Sequence, residues 1–278
     1  MDNQAIKHFA DQIRYYTLKE LNYMGYGHYG GSLSIVETLA VLYGNQLQAS
    51  PETKDDLNRD FFVLSKGHAG PALYATLFLK GYITEDWLYT LNQNGTNLPS
   101  HPDKNKTPGV DMTTGSLGQG ISAATGIAYG NKLAGRSNYT YCMVGDGELN
   151  EGQCWEAIQF AAHRQLDHFI LFIDDNKKQL DGYTTEICNP FDFEAKFAAF
   201  GFHTLKADGS SVEEINAAVE AAKALTGKPT AIILDTVKGQ GVPYIEDMYS
   251  NHHIRVDDAT KAAIDATTEK IGIEIGVR

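Results

Sequence analysis

The sequence predicts an α/β fold, a doubly wound and mostly parallel sheet with helices on both faces. Three observations carry the prediction. Short β-branched and aromatic runs alternate with segments of helical apolar spacing. The runs end in Gly, Asp, Asn, Ser or Lys, so each strand delivers polar groups at its carboxyl end, where open α/β sheets hold ligands. The third is size: 278 residues with 42% hydrophobic and 21% charged content can bury roughly three quarters of their unfolded surface. A single domain over residues 1–278 is expected, with a helix and tail from about residue 255.

Ile6, Phe9, Ile13, Tyr16 and Leu21 recur at helical spacing and predict a helix over residues 4–24, stopped at Gly25. Four glycines within the seven positions that start at Gly25 mark a loop of close-approach backbone, and it carries His28 just ahead of a helix N-terminus. Ser34 and Glu37 form a capping-box pattern before Leu39, Val41 and Leu42. After a polar stretch over 50–60, Phe61 to Leu64 reads as a strand, with Ser65-Lys66-Gly67-His68-Ala69 at its end and a helix from there to Lys80. Another helix is expected over 84–93, then a loop over 94–108 that carries His101. Thr113 to Gly120 leads into a helix rich in small residues, from Gly118 and Gly120 through Gly126 to Ala128. Helical glycines cost roughly 1 kcal/mol each relative to Ala. Close packing, within the chain or at a subunit interface, must offset that cost.

Tyr139 to Val144 reads as a buried strand, and after it Asn150 is expected to cap a helix through Trp155, Ile158 and Ala162. Between them lies G-D-G-E-L-N-E-G at residues 145–152. A second strand, His168 to Ile173, ends at Asp174-Asp175-Asn176. Parallel pairing would bring both turns to one sheet edge, so that Asp146 and Asn176 face one pocket. A carboxylate and an amide oxygen beside a helix N-terminus, with Gly145 and Gly147 allowing close approach, suit a hard cation such as Mg²⁺ bridging to a diphosphate. No G-x-G-x-x-G follows a strand, which argues against a dinucleotide site. Beyond lie a loop or hairpin over 179–183, a helix over 191–200, a strand over 202–206 and a Ser211/Glu214 capping box opening a helix to Leu225. A buried strand follows over 230–236, then Lys238-Gly239-Gln240-Gly241, Asn251-His252-His253 and a final helix over 258–270.

The balance of 35 acidic and 23 basic residues, a formal charge of -12, argues against nucleic acid and anionic membranes as partners. No apolar run approaches the ~20 residues of a membrane span. The N-terminus lacks a basic region followed by an apolar one, so a cytoplasmic location is expected. Cys142, Cys154 and Cys188 are odd in number and lack C-x-x-C spacing, as incidental thiols would.

Taken together, G-H-Y-G-G-S-L-S at 27–34, S-K-G-H-A at 65–69, H-P-D at 101–103, T-T-G-S-L-G-Q-G at 113–120, G-D-G-E-L-N-E-G and D-D-N at 174–176 resemble transketolase. They are similar to the N-terminal, diphosphate-binding subunit of a split transketolase, and the 28 residues between Gly147 and Asn176 match the spacing of thiamine diphosphate enzymes. The resemblance implies that Asp146, Asn176 and the Lys178 carbonyl hold Mg²⁺, with Ca²⁺ or Mn²⁺ as substitutes. It implies that Gly147 and His68 contact the diphosphate, with Gly145 and Glu148 in the same turn. Gly115, Ser116 and Leu117 would approach the aminopyrimidine ring. His28, His68, His101 and His252 would line the reacting centre, where imidazoles exchange protons near neutral pH. His253 is an alternative to His252, and stands where many members have Gly. His8, His163, His168 and His203 lack glycine-bearing loops and read as ordinary residues.

The family activates its cofactor with a glutamate on a second, pyrimidine-binding domain, to which Glu151 would couple. The resemblance therefore implies a partner subunit carrying that domain, an α2β2 heterotetramer, and transfer of a two-carbon ketol unit between sugars or sugar phosphates. The α subunit of a 2-oxo acid dehydrogenase shares the G-D-G and Asn site, but S-K-G-H-A and T-T-G-S-L-G-Q-G favour transketolase. From another class, a non-catalytic cofactor-binding regulatory subunit is the alternative, and the full set of metal ligands and histidines argues against it.

Overall fold

The computed structural model describes residues 1–277. Helix α1 (Asn3–Met24) leads through β1 (Tyr26–Gly27), α2 (Tyr29–Leu33) and α3 (Val36–Val41) to β2 (Phe61–Leu64). Then come α4 (Gly70–Leu79), α5 (Glu85–Leu88), α6 (Gln119–Leu133), β3 (Thr140–Gly145), α7 (Gly152–His163) and β4 (Phe169–Asp175). The remainder is α8 (Thr184–Ile187), α9 (Phe193–Ala199), β5 (His203–Asp208), α10 (Val212–Ala224), β6 (Thr230–Asp235), α11 (Pro243–Glu246), β7 (Ile254–Arg255) and α12 (Asp258–Glu274).

Five strands form one sheet in the order β2-β3-β4-β6-β5, and every pairing is parallel. Successive strand residues point to opposite faces, and each face builds its own core. Tyr141, Met143, Ile170, Phe172, Ile232 and Leu234 pack under α1, α3, α4 and α10. Cys142, Val144, Leu171, Ile173, Ala231 and Ile233 pack under α6, α7 and α9. This is the doubly wound sheet expected from the alternating pattern. All strands point one way, so the loops after β2, β3, β4 and β6 gather at one edge. A separate antiparallel ladder, Tyr26 with Arg255 and Gly27 with Ile254, ties the His28 loop to the segment carrying His252.

Local signals hold where nothing distant competes for them. Asp2 caps α1 by accepting from the Ala5 amide at 2.8 Å, and Gly25 ends it in the left-handed region at φ 78°. Elsewhere tertiary partners override the local pattern. Ser34 and Glu37 form no capping box. The Ser34 hydroxyl donates to Asp174 at 2.7 Å, Glu37 takes the buried Arg14 guanidinium, and α3 begins at Val36. The Ser211 signal holds in part: its hydroxyl accepts from the Glu214 amide at 3.2 Å and caps α10 where the sequence opens it, while the Glu214 carboxylate receives the nearby Asp208 amide and does not close the box. Asn150 closes a 3₁₀ turn over Gly147–Asn150, so the cap of α7 is Glu151. The helix expected over 84–93 is one turn, α5, because Asn92 turns left-handed at φ 59° and donates its amide to the Leu98 carbonyl.

The small residues of α6 divide between two faces. A Cβ on Gly120 would stand 2.6 Å from Ser65, whereas Gly126 and Gly130 face open space. Cys142 and Cys154 are buried free thiols and Cys188 is exposed. Among the described residues no helix is long and apolar enough to cross a membrane.

Candidate active site

The two acidic turns meet as parallel pairing requires, with Gly145 in register with Asp174. The Asp146 amide donates to the Asp174 carbonyl at 3.1 Å, which seats the G-D-G turn on the end of β4. Asp146 is 3% exposed. Its Oδ1 accepts from the Gly147 amide at 2.7 Å, and its buried Oδ2 has no partner among the described residues. Asn176 donates through Nδ2 to Asp174 at 2.8 Å, an arrangement that fixes the amide and leaves Oδ1 near the Lys178 amide at 3.2 Å. The Lys178 carbonyl accepts from Lys238 Nζ at 2.9 Å, while the Lys178 ammonium turns away to the Met248 carbonyl. Asp146, Asn176 and Lys178 line one cavity of about 340 Å³, within the usual range for small-molecule sites.

Four histidines line the same cavity: His28, His68, His101 and His252. His28 is at their centre. Its ring lies 5.7 Å from His68, 5.5 Å from His101 and 5.2 Å from His252. Chain elements far apart in sequence deliver them: the β1 turn, the end of β2, the loop after α5 and the segment before β7. Burial lowers the pKa of each, and for His28, His68 and His252 repulsion from neighbouring cations and imidazoles adds to the shift. His28 is held down at about 4, with His253 the next cause, and His252 at about 3, with Lys238 the next cause. His68 lies well below its ordinary value through burial and Lys66, and burial lowers His101. Each shift favours the neutral imidazole near neutral pH. His253 lies 4.8 Å from His28 and 5.9 Å from Tyr26, outside the lining of the cavity. His8, His163, His168 and His203 lie elsewhere, and His168 stacks on Tyr139.

Two buried carboxylates brace the loops. Asp174, fully buried, accepts from Lys66, Ser34, Asn176 and Thr236 and so ties together the ends of β2, α2, β4 and β6. Burial works to raise its pKa, and the Lys66 ammonium overrides this and holds the group ionised. Glu148 accepts from Ser65 at 2.5 Å, from the Gly118 amide at 2.9 Å and from the Gly145 amide at 3.1 Å. It lines the cavity, but its oxygens are occupied by the chain's own donors. Gly115, Leu117, Gly145, Gly147 and Glu151 also line it, and Ser116 stands in the same loop outside the lining. Gly115 adopts φ 149°, a region that disfavours side chains, and a Cβ there would press on the His101 side chain at 3.2 Å.

Sequence reasoning passes over Lys66 and Lys238, which are 0% and 3% exposed. The signal is present, since each lysine stands in a glycine-bearing motif directly after a buried strand. Lys238 donates to the Lys178 and Gln179 carbonyls and lies 3.1 Å from His252 Nδ1. Burial and the Lys66 charge lower its pKa.

The donor set fits a hard divalent cation. A buried carboxylate oxygen without a donor is costly, and burial together with Asp174 raises the Asp146 pKa. A cation at that oxygen, shared with an amide oxygen and a carbonyl, would satisfy it.

An open parallel sheet with this cluster at its carboxyl edge defines a cofactor-binding α/β protein, and solved structures specify the fold further. Transketolase from Leishmania mexicana superposes with a TM-score of 0.86 and 31% identity over 98% of this chain and 45% of that one. Transketolase from Campylobacter jejuni gives 0.87 and 29% over 99% and 48%. Residues 5–275 match the family described as transketolase, thiamine diphosphate binding domain, and the chain belongs to that family. It is 49% identical over 268 residues to the 6-deoxy-6-sulfo-D-fructose transketolase subunit SqwG of a Clostridium species, covering 96% of this chain and 97% of that protein. One of the subunits of apulose-4-phosphate transketolase from Actinobacillus succinogenes is 40% identical over 82% of each chain. Human transketolase is 38% identical over 90% of this chain, which spans 40% of that protein.

Proposed function

We propose that the chain is the cofactor-binding subunit of a two-subunit transketolase that moves a two-carbon ketol unit from a ketose to an aldose with thiamine diphosphate and Mg²⁺. The carrying observation is the convergence of Asp146, Asn176 and the Lys178 carbonyl in one cavity with four uncharged histidines. Family membership and similarity to transketolase subunits over most of their length support it.

In this reading Asp146, Asn176 and the Lys178 carbonyl hold the cation. Gly147 and His68 receive the diphosphate, and Lys238 adds a positive charge beside it. Backbone at Gly115 and Leu117 borders the ring system, with Ser116 at the outer edge. When bound, thiamine diphosphate supplies the nucleophilic carbon and electron sink that carbon-carbon cleavage beside a carbonyl requires. His28, His101 and His252 hold sugar hydroxyls and move protons at their oxygens. Glu148 positions the G-D-G turn, the β2 loop and the start of α6 against one another. Glu151, at the cavity wall, couples to an activating glutamate of a partner's pyrimidine-binding domain in an α2β2 assembly. The sulfonated and phosphorylated sugars in the names of the two subunit relatives support a ketose with an anionic terminus as donor.

Ketol transfer from phosphorylated and sulfonated ketoses, assayed with the chain alone and with a co-expressed pyrimidine-domain subunit, tests this. Turnover only in the mixture is expected. Full-rate turnover by the isolated chain would overturn the two-subunit reading.

A further inference from the structure

A second cavity, of about 420 Å³, opens at the amino end of β2, while the histidine cavity lies beyond that strand's carboxyl end. The loops over 47–61 and 104–111 form its walls together with Tyr43 and Tyr82. Its floor holds a paired cation and anion. Arg59 grips Asp111 through two bonds, at 3.1 and 2.5 Å, and stacks over the Phe61 ring at 4.3 Å. Asp111 also accepts from the Phe62 amide at 2.8 Å.

Other groups lining this cavity have no partner. Tyr43 is 6% exposed, yet neither its hydroxyl nor that of Tyr82 makes a hydrogen bond to any described residue. Neither hydroxyl is a sealed-off buried group, so both open to the cavity and can bond what occupies it. Burial and the neighbouring Asp111 raise the Tyr43 pKa, so this phenol keeps its proton and remains a donor. Lys104 and Lys106 reach the same cavity, and neither pairs with a carboxylate among the described residues, although the chain carries a net charge of -12. Lys54 is neutralised by Asp55 and Arg59 by Asp111. The cavity thus presents aromatic walls, two free hydroxyls, two free ammonium groups and one carboxylate, Asp56, that pairs with no cation among the described residues, in a volume suited to a small organic molecule.

We propose that this cavity binds a small phosphomonoester carrying a planar ring, of the nucleoside monophosphate class. Lys104 and Lys106 take the phosphate through charge-assisted hydrogen bonds. The walls at Tyr43, Phe61 and Tyr82 take the ring, with the two phenols bonding its polar edge. The segment that lines this cavity is continuous with the histidine cavity. The Asp103 carboxylate receives the Asn105 amide at 2.9 Å and the Thr113 hydroxyl at 3.2 Å, and the Thr114 amide donates to the Pro102 carbonyl at 3.1 Å. A ligand held by Lys104 and Lys106 therefore touches the loop that carries His101 and Gly115.

Equilibrium dialysis of the full chain against adenosine 5′-monophosphate, inorganic phosphate and adenosine tests the site. Saturable nucleotide binding is expected, with phosphate and adenosine each about tenfold weaker or more, since each retains only part of the contacts. The exposed pair Lys104→Glu and Lys106→Glu should weaken nucleotide binding by about tenfold or more. Asp146→Ala and saturating thiamine diphosphate with Mg²⁺ should leave it in place, which separates this cavity from the other. Absence of saturable binding, equal binding by the lysine variant, or displacement by thiamine diphosphate would each overturn the assignment. Phosphate binding as tight as the nucleotide's would remove the ring from it.

Discussion

At the scale of single residues the cavity is a collection of charges and dipoles that the chain satisfies only in part. Asp146 keeps one buried oxygen without a donor, whereas Asp174, one strand away, receives four. The first is built to receive something, the second to hold loops. Losses even beyond the direct ligands of a metal cost about 10–100-fold in affinity, so Asp146→Ala should weaken Mg²⁺-dependent thiamine diphosphate binding by at least that much in calorimetry. An unchanged affinity would remove Asp146 from the cation site. The histidines give a pH signature. His28 has an ordinary pKa of 6.5 and is held at about 4 by burial and by His253, so the unfolded chain binds more protons between those values. Its contribution to stability is therefore full above about 6.5 and is lost as pH falls toward about 4. His68, His101 and His252 shift in the same direction. Melting temperatures compared near neutral pH and near pH ~5 should fall for the native chain and fall less for His28→Asn. Equal slopes would refute the shift. Most of these residues are legible in the sequence because each sits in a glycine-bearing turn after an apolar run. Lys66 and Lys238 stand in turns of the same kind and are passed over, because a lysine in a loop normally lies in solvent and only the assembled core reveals these two as buried.

The elements show where local pattern prevails and where it yields. The glycines of the α6 segment predict close packing, and half of them provide it. Gly118 adopts φ 83° and leaves 2.7 Å between a Cβ and the Gln153 side chain, and Gly120 lies against Ser65. Gly126 and Gly130 meet nothing within 4 Å. The two kinds should respond oppositely to the same change. Gly120→Ala should cost about 1–3 kcal/mol by overpacking, while Gly126→Ala should add up to about 1 kcal/mol through helix propensity. Urea unfolding of the two variants decides this, and destabilisation by Gly126→Ala in the isolated chain would show that its face is not open. The capping pattern at Ser34 carries the same lesson. A cap is worth about 1 kcal/mol, less than a buried carboxylate such as Asp174 or Glu37 loses if its donor is withheld.

For the whole molecule, the sheet places four loops and two distant chain segments around one volume, and binding there should register as global stability. A ligand at a hundred times its Kd adds about 2.7 kcal/mol. At roughly 2–4 °C per kcal/mol for a chain near this size, thiamine diphosphate with Mg²⁺ should raise the melting temperature by roughly 5–10 °C. On the proposed reading either component alone should raise it less, since a cation held by Asp146 would in turn hold the diphosphate. Equal shifts with and without Mg²⁺ would dissociate the metal from cofactor binding. The second cavity, at the amino end of β2, should contribute separately, since no residue lines both cavities.

What the sequence determined by itself was the fold class, the order of the five sheet strands and the long helices between them, and the turns that carry Asp146, Asn176, His28, His68 and His101. These follow from apolar period and turn chemistry, which act over a few residues and are written in the chain. What only the tertiary structure decided was convergence. The ladder between Gly27 and Ile254 sets His252 beside His28, and Asp174 captures a serine and a lysine whose local signals pointed elsewhere. Such contacts depend on the free energy of burying charge and polar groups together, which is settled only when distant segments meet in one core.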